Sequence, residues 1–116
     1  MRIEIPWPPS VNTYWRNVKG KTLLSAKGRA YQKTISDMAW LWPKYSKERL
    51  HVEVTAYPPD RRRRDLDNLP KAIFDSLEKA GVYADDEQID FFSIERGEIK
   101  KPGLVVVRIT TRSAGL

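Results

Sequence analysis

A run of charged residues, RRRRDLD at positions 61–67, separates a strand pattern from a helix pattern and constrains the fold more than any other part of the chain. Before it, apolar and polar residues alternate over Leu50–Tyr57, which predicts a half-buried β-strand. Pro58 and Pro59 end that strand, because proline cannot donate to a sheet ladder. The strand and the next helix are therefore joined by an exposed, charged loop.

A helix is predicted directly after this loop. Asn68 is expected to cap its start, and Pro70 is tolerated because it falls in the first turn. Lys79 lies in the last turn, and Gly81 follows where a left-handed C-cap belongs. The apolar face of this helix consists of Leu69, Ala72, Ile73, Leu77 and Ala80.

The remaining elements complete the order β-α-β-α-β-β. Strands are predicted over Arg2–Trp7, Ile89–Glu98 and Leu104–Thr111, with a hairpin turn at residues 100–103 between the last two. A long helix begins after a Ser25 N-cap and weakens at Pro43, whereas residues 10–24 read as an exposed loop. This order predicts an α/β (α+β) fold, a small mixed sheet of about four strands covered by two main helices. The length of 116 residues fits one domain over residues 1–116.

Composition narrows the classes of function. The formal net charge of +6 is common in small domains that bind nucleic acid, although charge alone does not distinguish them from other soluble basic proteins. The absence of cysteine excludes disulfides, zinc-thiolate sites and cysteine nucleophiles. No apolar run approaches the ~20 residues that span a bilayer, and the N-terminus lacks a signal-peptide core, so no membrane association is expected and the cytoplasm is compatible.

Four acidic residues flank the second helix. Asp65 and Asp67 are two positions apart, so in an extended segment both carboxylates face one side. Asp85 and Asp86 follow the helix, which spans about 18 Å. Asp85 or Asp86 can join Asp65 and Asp67 only if the chain folds back after the helix. This is possible if the strand that follows lies beside the strand that precedes Asp65. Glu87 and Asp90 are nearby alternatives.

Carboxylates without histidine or cysteine suit Mg²⁺ or Mn²⁺ better than zinc. Such an ion activates water and neutralises charge on a phosphate, which favours an enzyme that cuts phosphodiester bonds. The alternative is that Asp65 and Asp67 only pair with nearby arginines and cap the helix. Spacing alone leaves both interpretations open.

Basic residues surround these carboxylates. Lys71 lies in the first turn of a helix, where a cation opposes the helix dipole. This mismatch is consistent with a role at a phosphate and equally with a plain surface lysine near Asp67 or Asp75. Adjacent arginines form a positive patch for phosphates, and aromatic and basic residues in the N-terminal loop suit stacking on DNA bases. The predicted DNA-binding residues are Arg61, Arg62, Arg63, Arg64, Tyr14, Arg16, Lys19 and Lys21.

The motif RRRRDLDNLPKAIFDSLEKAG, followed by DD, resembles the RusA family of Holliday junction resolvases, and PWPPSVNTYWR resembles that family's N-terminal segment. The resemblance covers nearly the whole chain. It implies a homodimeric, Mg²⁺- or Mn²⁺-dependent endonuclease that binds four-way DNA junctions and nicks them symmetrically in recombination and repair. It also implies the cytoplasm of a bacterial or phage-infected cell.

The same resemblance assigns roles to individual residues. The family's catalytic aspartates match Asp65, Asp67 and Asp86, its essential lysine matches Lys71, and a basic residue before the first aspartate matches Arg64. Two other functions stay open. One is a different divalent-metal nuclease that acts on branched DNA, and the other is a non-catalytic nucleic-acid-binding module.

Overall fold

The computed structural model describes residues 1–112, so the last four residues of the predicted domain lie outside it. Two short 3₁₀ turns, Leu66–Asn68 and Asp86–Gln88, flank the second long helix. In chain order the elements are β1 (Arg2–Ile5), α1 (Val11–Tyr14), β2 (Trp15–Val18), β3 (Lys21–Leu24), α2 (Ala26–Ala39), β4 (Leu50–Tyr57), α3 (Pro70–Lys79), β5 (Ile89–Arg96) and β6 (Leu104–Thr111). The predicted order is present, with α1, β2 and β3 added between β1 and α2.

The main sheet has four strands in the order β1-β6-β4-β5, which confirms the predicted mixed sheet. β4 lies at its centre, antiparallel to β6 and parallel to β5. Its residues alternate between buried and more exposed, and Val52 and Val54 lie opposite Ile109 and Val107 of β6. One face of the sheet therefore packs into the core that α2 and α3 complete.

The predicted hairpin at residues 100–103 is wrong. β5 and β6 lie on opposite sides of β4 and are not neighbours. The segment after β5 instead runs along the end of β4, where Gly97 N donates to Ala56 O and Lys100 N donates to Pro58 O. Lys101 and Pro102 do form a turn, but it leads to β6 on the far side of β4.

The ends of the two long helices agree with those predicted from the sequence, except at the N-terminus of α3. Ser25 Oγ accepts from Gly28 N at 2.9 Å, Pro70 is the first residue of α3, and Gly81 has a φ of 81°. The predicted Asn68 cap is wrong. The N-cap of α3 is Leu69, which makes no side-chain cap bond, and Asn68 belongs to the preceding 3₁₀ turn.

Residues 11–24 are ordered rather than the predicted exposed loop. β2 and β3 form a hairpin, and Lys19 and Gly20 at its tip have φ values of 51° and 77°. Positive φ at both central residues is the signature of the tight turns that match strand twist. Arg16, Lys19 and Lys21 remain exposed on this hairpin.

Tyr14 is fully buried, so the prediction that it lies exposed for stacking on a DNA base is wrong. Its hydroxyl donates to Asp75 Oδ2 at 2.7 Å, and Gln32 Nε2 donates to the same oxygen at 2.8 Å. Burial, together with the Asp75 carboxylate, raises the pKa of Tyr14 to about 12. This hydrogen-bonded set joins α1, α2 and α3.

Tyr14→Phe should lower the free energy of unfolding by about 1–3 kcal/mol, because it removes a buried partner of Asp75. Urea unfolding monitored by circular dichroism measures the change. Tyr57→Phe is the matched control, since the Tyr57 hydroxyl bonds to no other side chain or backbone group within residues 1–112. Equal losses in the two variants would contradict a stabilising role for the Tyr14 hydroxyl.

Candidate active site

Asp65 and Asp67 lie at the start of α3. Asp65 precedes the Leu66–Asn68 turn, Asp67 lies within it, and both are exposed. The turn is closed by a bond from Asn68 N to Asp65 O at 3.2 Å. Arg96 at the end of β5 donates to Arg64 O at 2.7 Å, which ties this segment to the sheet. The two carboxylates are therefore displayed to solvent by a restrained backbone.

Asp86 lies beyond the other end of α3. Its backbone N–H donates to Glu78 Oε1 at 2.7 Å, and Asp85 caps the Asp86–Gln88 turn by accepting from Glu87 N. Carboxylate oxygens of Glu78, Asp85 and Asp86 lie within 4.8 Å of one another. Sequence reasoning missed Glu78, because its contact with Asp86 depends on how the chain turns back after Gly81.

The structure does not bring Asp86 together with Asp65 and Asp67 within one protomer. The ten residues of α3 rise by about 15 Å, and the two acidic segments adjoin its opposite ends. Within residues 1–112, no trio of ligand oxygens mutually within 4.8 Å combines Asp86 with Asp65 or Asp67. β5 does lie beside β4, as such a meeting required, but it runs parallel to β4, so Asp86 before β5 and Asp65 after β4 lie towards opposite ends of the two strands. The bond from Asp86 N to Glu78 holds Asp86 near the C-terminal end of the helix.

Lys71 is exposed in the first turn of α3, at the end of the helix that follows Asp67 in the chain. Its Nζ lies 5.4 Å from the ring centroid of Trp15 on β2, a cation–π distance. Trp15 packs edge-on against Tyr14 at a centroid distance of 4.9 Å. Sequence reasoning missed this restraint on Lys71, because residues 15 and 71 are distant in the chain.

The four arginines before Asp65 differ in their surroundings. Arg61, Arg62 and Arg63 are exposed, whereas the Arg64 side chain is only 23% exposed. Arg64 Nη1 donates to Asp60 Oδ1 at 2.7 Å, and this bond is the main cause that lowers the pKa of Asp60 to about 2. Arg64 is thus held in place by a carboxylate that stays ionised at neutral pH.

Glu87 and Asp90, the other acidic residues of this region, are occupied by Arg49. Arg49 bonds to Glu87 Oε2 at 3.0 Å and, through Nε, to Asp90 Oδ1 at 2.9 Å. Arg49 lowers the pKa of Asp90. These contacts favour a structural role for both carboxylates at the start of β4 and β5.

The side chains at both ends of α3 fit a hard divalent cation. They offer exposed carboxylate oxygens, the ligands that Mg²⁺ and Mn²⁺ prefer. His51, the single histidine, stacks on Phe91 at 4.2 Å and is committed to that contact, in line with the structural role predicted for it. No helix within residues 1–112 is long and apolar enough to cross a membrane.

Comparison with known proteins gives consistent matches over most of the chain. A family model described as endodeoxyribonuclease RusA matches residues 6–110. Crossover junction endodeoxyribonucleases RusA from Shigella sonnei and from Escherichia coli strain K12 are each 38% identical, over 93% of this chain and 92% of the relative. A protein of the same description from Enterobacteria phage 82 has the same identity and coverage.

The contact between Lys71 and Trp15 predicts an upfield shift of the Lys71 methylene resonances next to Nζ. Trp15→Leu removes the ring and should return them towards those of Lys79, an exposed lysine on the same helix. Heteronuclear NMR, with Lys71→Arg used for assignment, measures the shift. Unchanged Lys71 resonances in Trp15→Leu would show that the ring does not restrain the ammonium group.

Proposed function

Because the chain belongs to the RusA family of endodeoxyribonucleases, we propose that it nicks four-way DNA junctions symmetrically, with a bound divalent cation. The observation that carries this proposal is the family match over residues 6–110, which spans every residue of the proposed site. We propose that residues 1–116 act as one endonuclease domain. Relatives in Escherichia coli and in a phage support action in the cytoplasm of a bacterial or phage-infected cell.

The proposed metal ligands are Asp65, Asp67 and Asp86, with Mg²⁺ as the physiological ion and Mn²⁺ as a substitute. A bound divalent cation supplies an activated water and neutralises charge that develops on the scissile phosphate. Exposure of the three carboxylates supports this assignment, because a phosphate and an ion must both reach them. Glu78 restrains the backbone of Asp86 and so orients the turn that carries it.

Lys71 and Arg64 supply positive charge to the reacting phosphate. Trp15 limits the directions that the Lys71 ammonium can take, and Asp60 fixes the Arg64 guanidinium. Groups held in place before the reaction lose less entropy in the transition state and stabilise its charge better than mobile ones. Arg61, Arg62 and Arg63, with Arg16, Lys19 and Lys21 on the hairpin, are the proposed contacts to flanking phosphates.

The proposed homodimer explains how acidic residues at opposite ends of α3 can share one ion. β5 is an edge strand, and its Phe91 and Phe92 are 45% and 48% exposed. If two β5 edges pair antiparallel about a two-fold axis, the start of one strand lies beside the end of the other. Asp86 of one protomer then approaches Asp65 of the partner subunit, because Asp86 precedes β5 and Asp65 is tied to its end through Arg96.

Asp67→Asn should reduce nicking of a synthetic four-way junction by more than about 100-fold, because a ligand of the proposed divalent cation is lost. Junction binding should survive or tighten, since one negative charge near the DNA is gone. Nicking gels and mobility shifts measure the two effects. A linear duplex of the same sequence is the substrate control, and equal nicking of both would favour a general metal-dependent nuclease.

A mixed dimer tests the shared site. Asp67→Asn and Asp86→Asn homodimers should both be inactive, whereas a heterodimer purified through two different tags retains one complete site and nicks one strand. Glu78→Gln is the matched control, because glutamine still accepts the Asp86 N–H. An inactive heterodimer would mean that the ligands come from a single protomer after a rearrangement.

Replacing Arg61 and Arg62 with glutamine should weaken binding to all junctions and flatten the slope of log affinity against log salt by up to about 2. Each phosphate contact contributes about 0.9 to that slope. The control removes the same charge from Arg2 and Lys33, which pair with Glu4 and Asp37. An unchanged slope in the Arg61 and Arg62 variant would place these side chains away from the DNA.

A further inference from the structure

A pocket of about 500 Å³ opens beside Asp65, between the segment that follows β1 and the segment that leads into α3. Its volume lies within the range of about 300–1,000 Å³ that is usual for small-molecule sites. Its walls combine apolar and polar side chains, chiefly Trp7, Pro8, Arg63, Arg64, Asp65 and Asn68. The mechanism proposed above uses Asp65 and Arg64 but leaves the pocket itself without a role.

The side-chain amide of Asn68 lines this pocket and is free to bind a ligand. It does not cap α3, because the N-cap is Leu69, and its side chain hydrogen-bonds to nothing else in the described part of the chain. Its exposed amide carries two donor hydrogens and one acceptor oxygen. This combination pairs with the edge of a nucleobase, as asparagine does in sequence-specific DNA recognition.

Two flat groups line the same pocket as the amide. The Trp7 indole is half-buried, and the Arg64 guanidinium lies 5.7 Å from its ring centroid. Aromatic and guanidinium planes are the surfaces on which proteins stack unpaired bases. Because Asp60 fixes Arg64, these surfaces are formed before any ligand arrives.

The charges that line the pocket are balanced and do not select a phosphate as the occupant. Arg64 is paired with Asp60. Arg63 and Asp65 line the pocket with opposite charges, so no net charge attracts an anion, and a nucleobase is neutral. The exposed arginines that precede this lining in the chain would neutralise the phosphates of the same strand. A base that enters must first leave its stack, which costs least where the base is already unpaired.

From this arrangement we infer that the pocket binds one unpaired nucleobase of the DNA next to the nicked phosphate, with Asn68 reading its edge. The inference rests on the proposed function, since it takes the DNA strand at Asp65 as given. It makes Asn68 a specificity-determining residue that touches substrate without taking part in the bond cleavage.

The first test needs no cleavage. Junctions that carry the fluorescent base 2-aminopurine at one position at a time around the branch point are bound at saturation in EDTA. The fluorescence should change at one position in each cut strand, and Asn68→Ala should abolish that change. Asn12→Ala, an exposed asparagine outside the pocket, is the matched control and should behave like the unmodified protein.

The second test adds Mg²⁺ and places each of the four bases at the position found. Nicking rates of the unmodified protein should then differ by about tenfold between the best and the worst base, which is the discrimination that one good amide–base contact provides. In Asn68→Ala the same ratio of rates should fall below about threefold. No fluorescent change at any position, or a change and preference that persist in Asn68→Ala, would overturn the inference. Failure of the unmodified protein to nick any junction would overturn the proposed function. The fluorescence measured in EDTA would still show whether the pocket binds a base.

Discussion

The parallel pairing of β4 with β5 determines where every acidic residue of the proposed site lies. Two neighbouring strands that run in the same direction need a crossover connection, and α3 supplies it. The crossover begins with the arginine-rich loop and ends with the Asp86–Gln88 turn. A helix of this length therefore separates two sets of carboxylates that the chemistry would use together. A second copy of the chain is the simplest way to reunite them.

Local patterns predicted most of the secondary structure because burial in this fold follows simple periodicity. β4 alternates at a period of two since one of its faces packs on the helices, and Ser25 and Gly81 mark helix ends by their own backbone chemistry. β6 was also predicted with its observed bounds. In each case the residue's own conformational preference agrees with its tertiary surroundings.

The errors arise where long-range contacts override local preference. Asn68 favours a cap, but the 3₁₀ turn before α3 transfers that position to Leu69. Tyr14 lies among polar residues that suggest a loop, and only its hydroxyl contact with Asp75, 61 positions away, shows why it is buried. Strand adjacency likewise cannot be predicted from a turn motif alone, because β5 pairs with β4 and not with β6, the next strand in the chain. Trp15 and Glu78 are further examples, because their contacts with Lys71 and Asp86 are visible only in the folded chain.

The open edge of β5 also bears on the fate of an isolated subunit. Unpaired backbone groups next to two exposed phenylalanines are a template for uncontrolled strand addition, and proteins usually protect such edges with lysine, proline or a covering element. β5 itself contains neither lysine nor proline. If the proposed homodimer buries this edge, a subunit released from it would lose the shared site and would also expose a strand that can add to other chains.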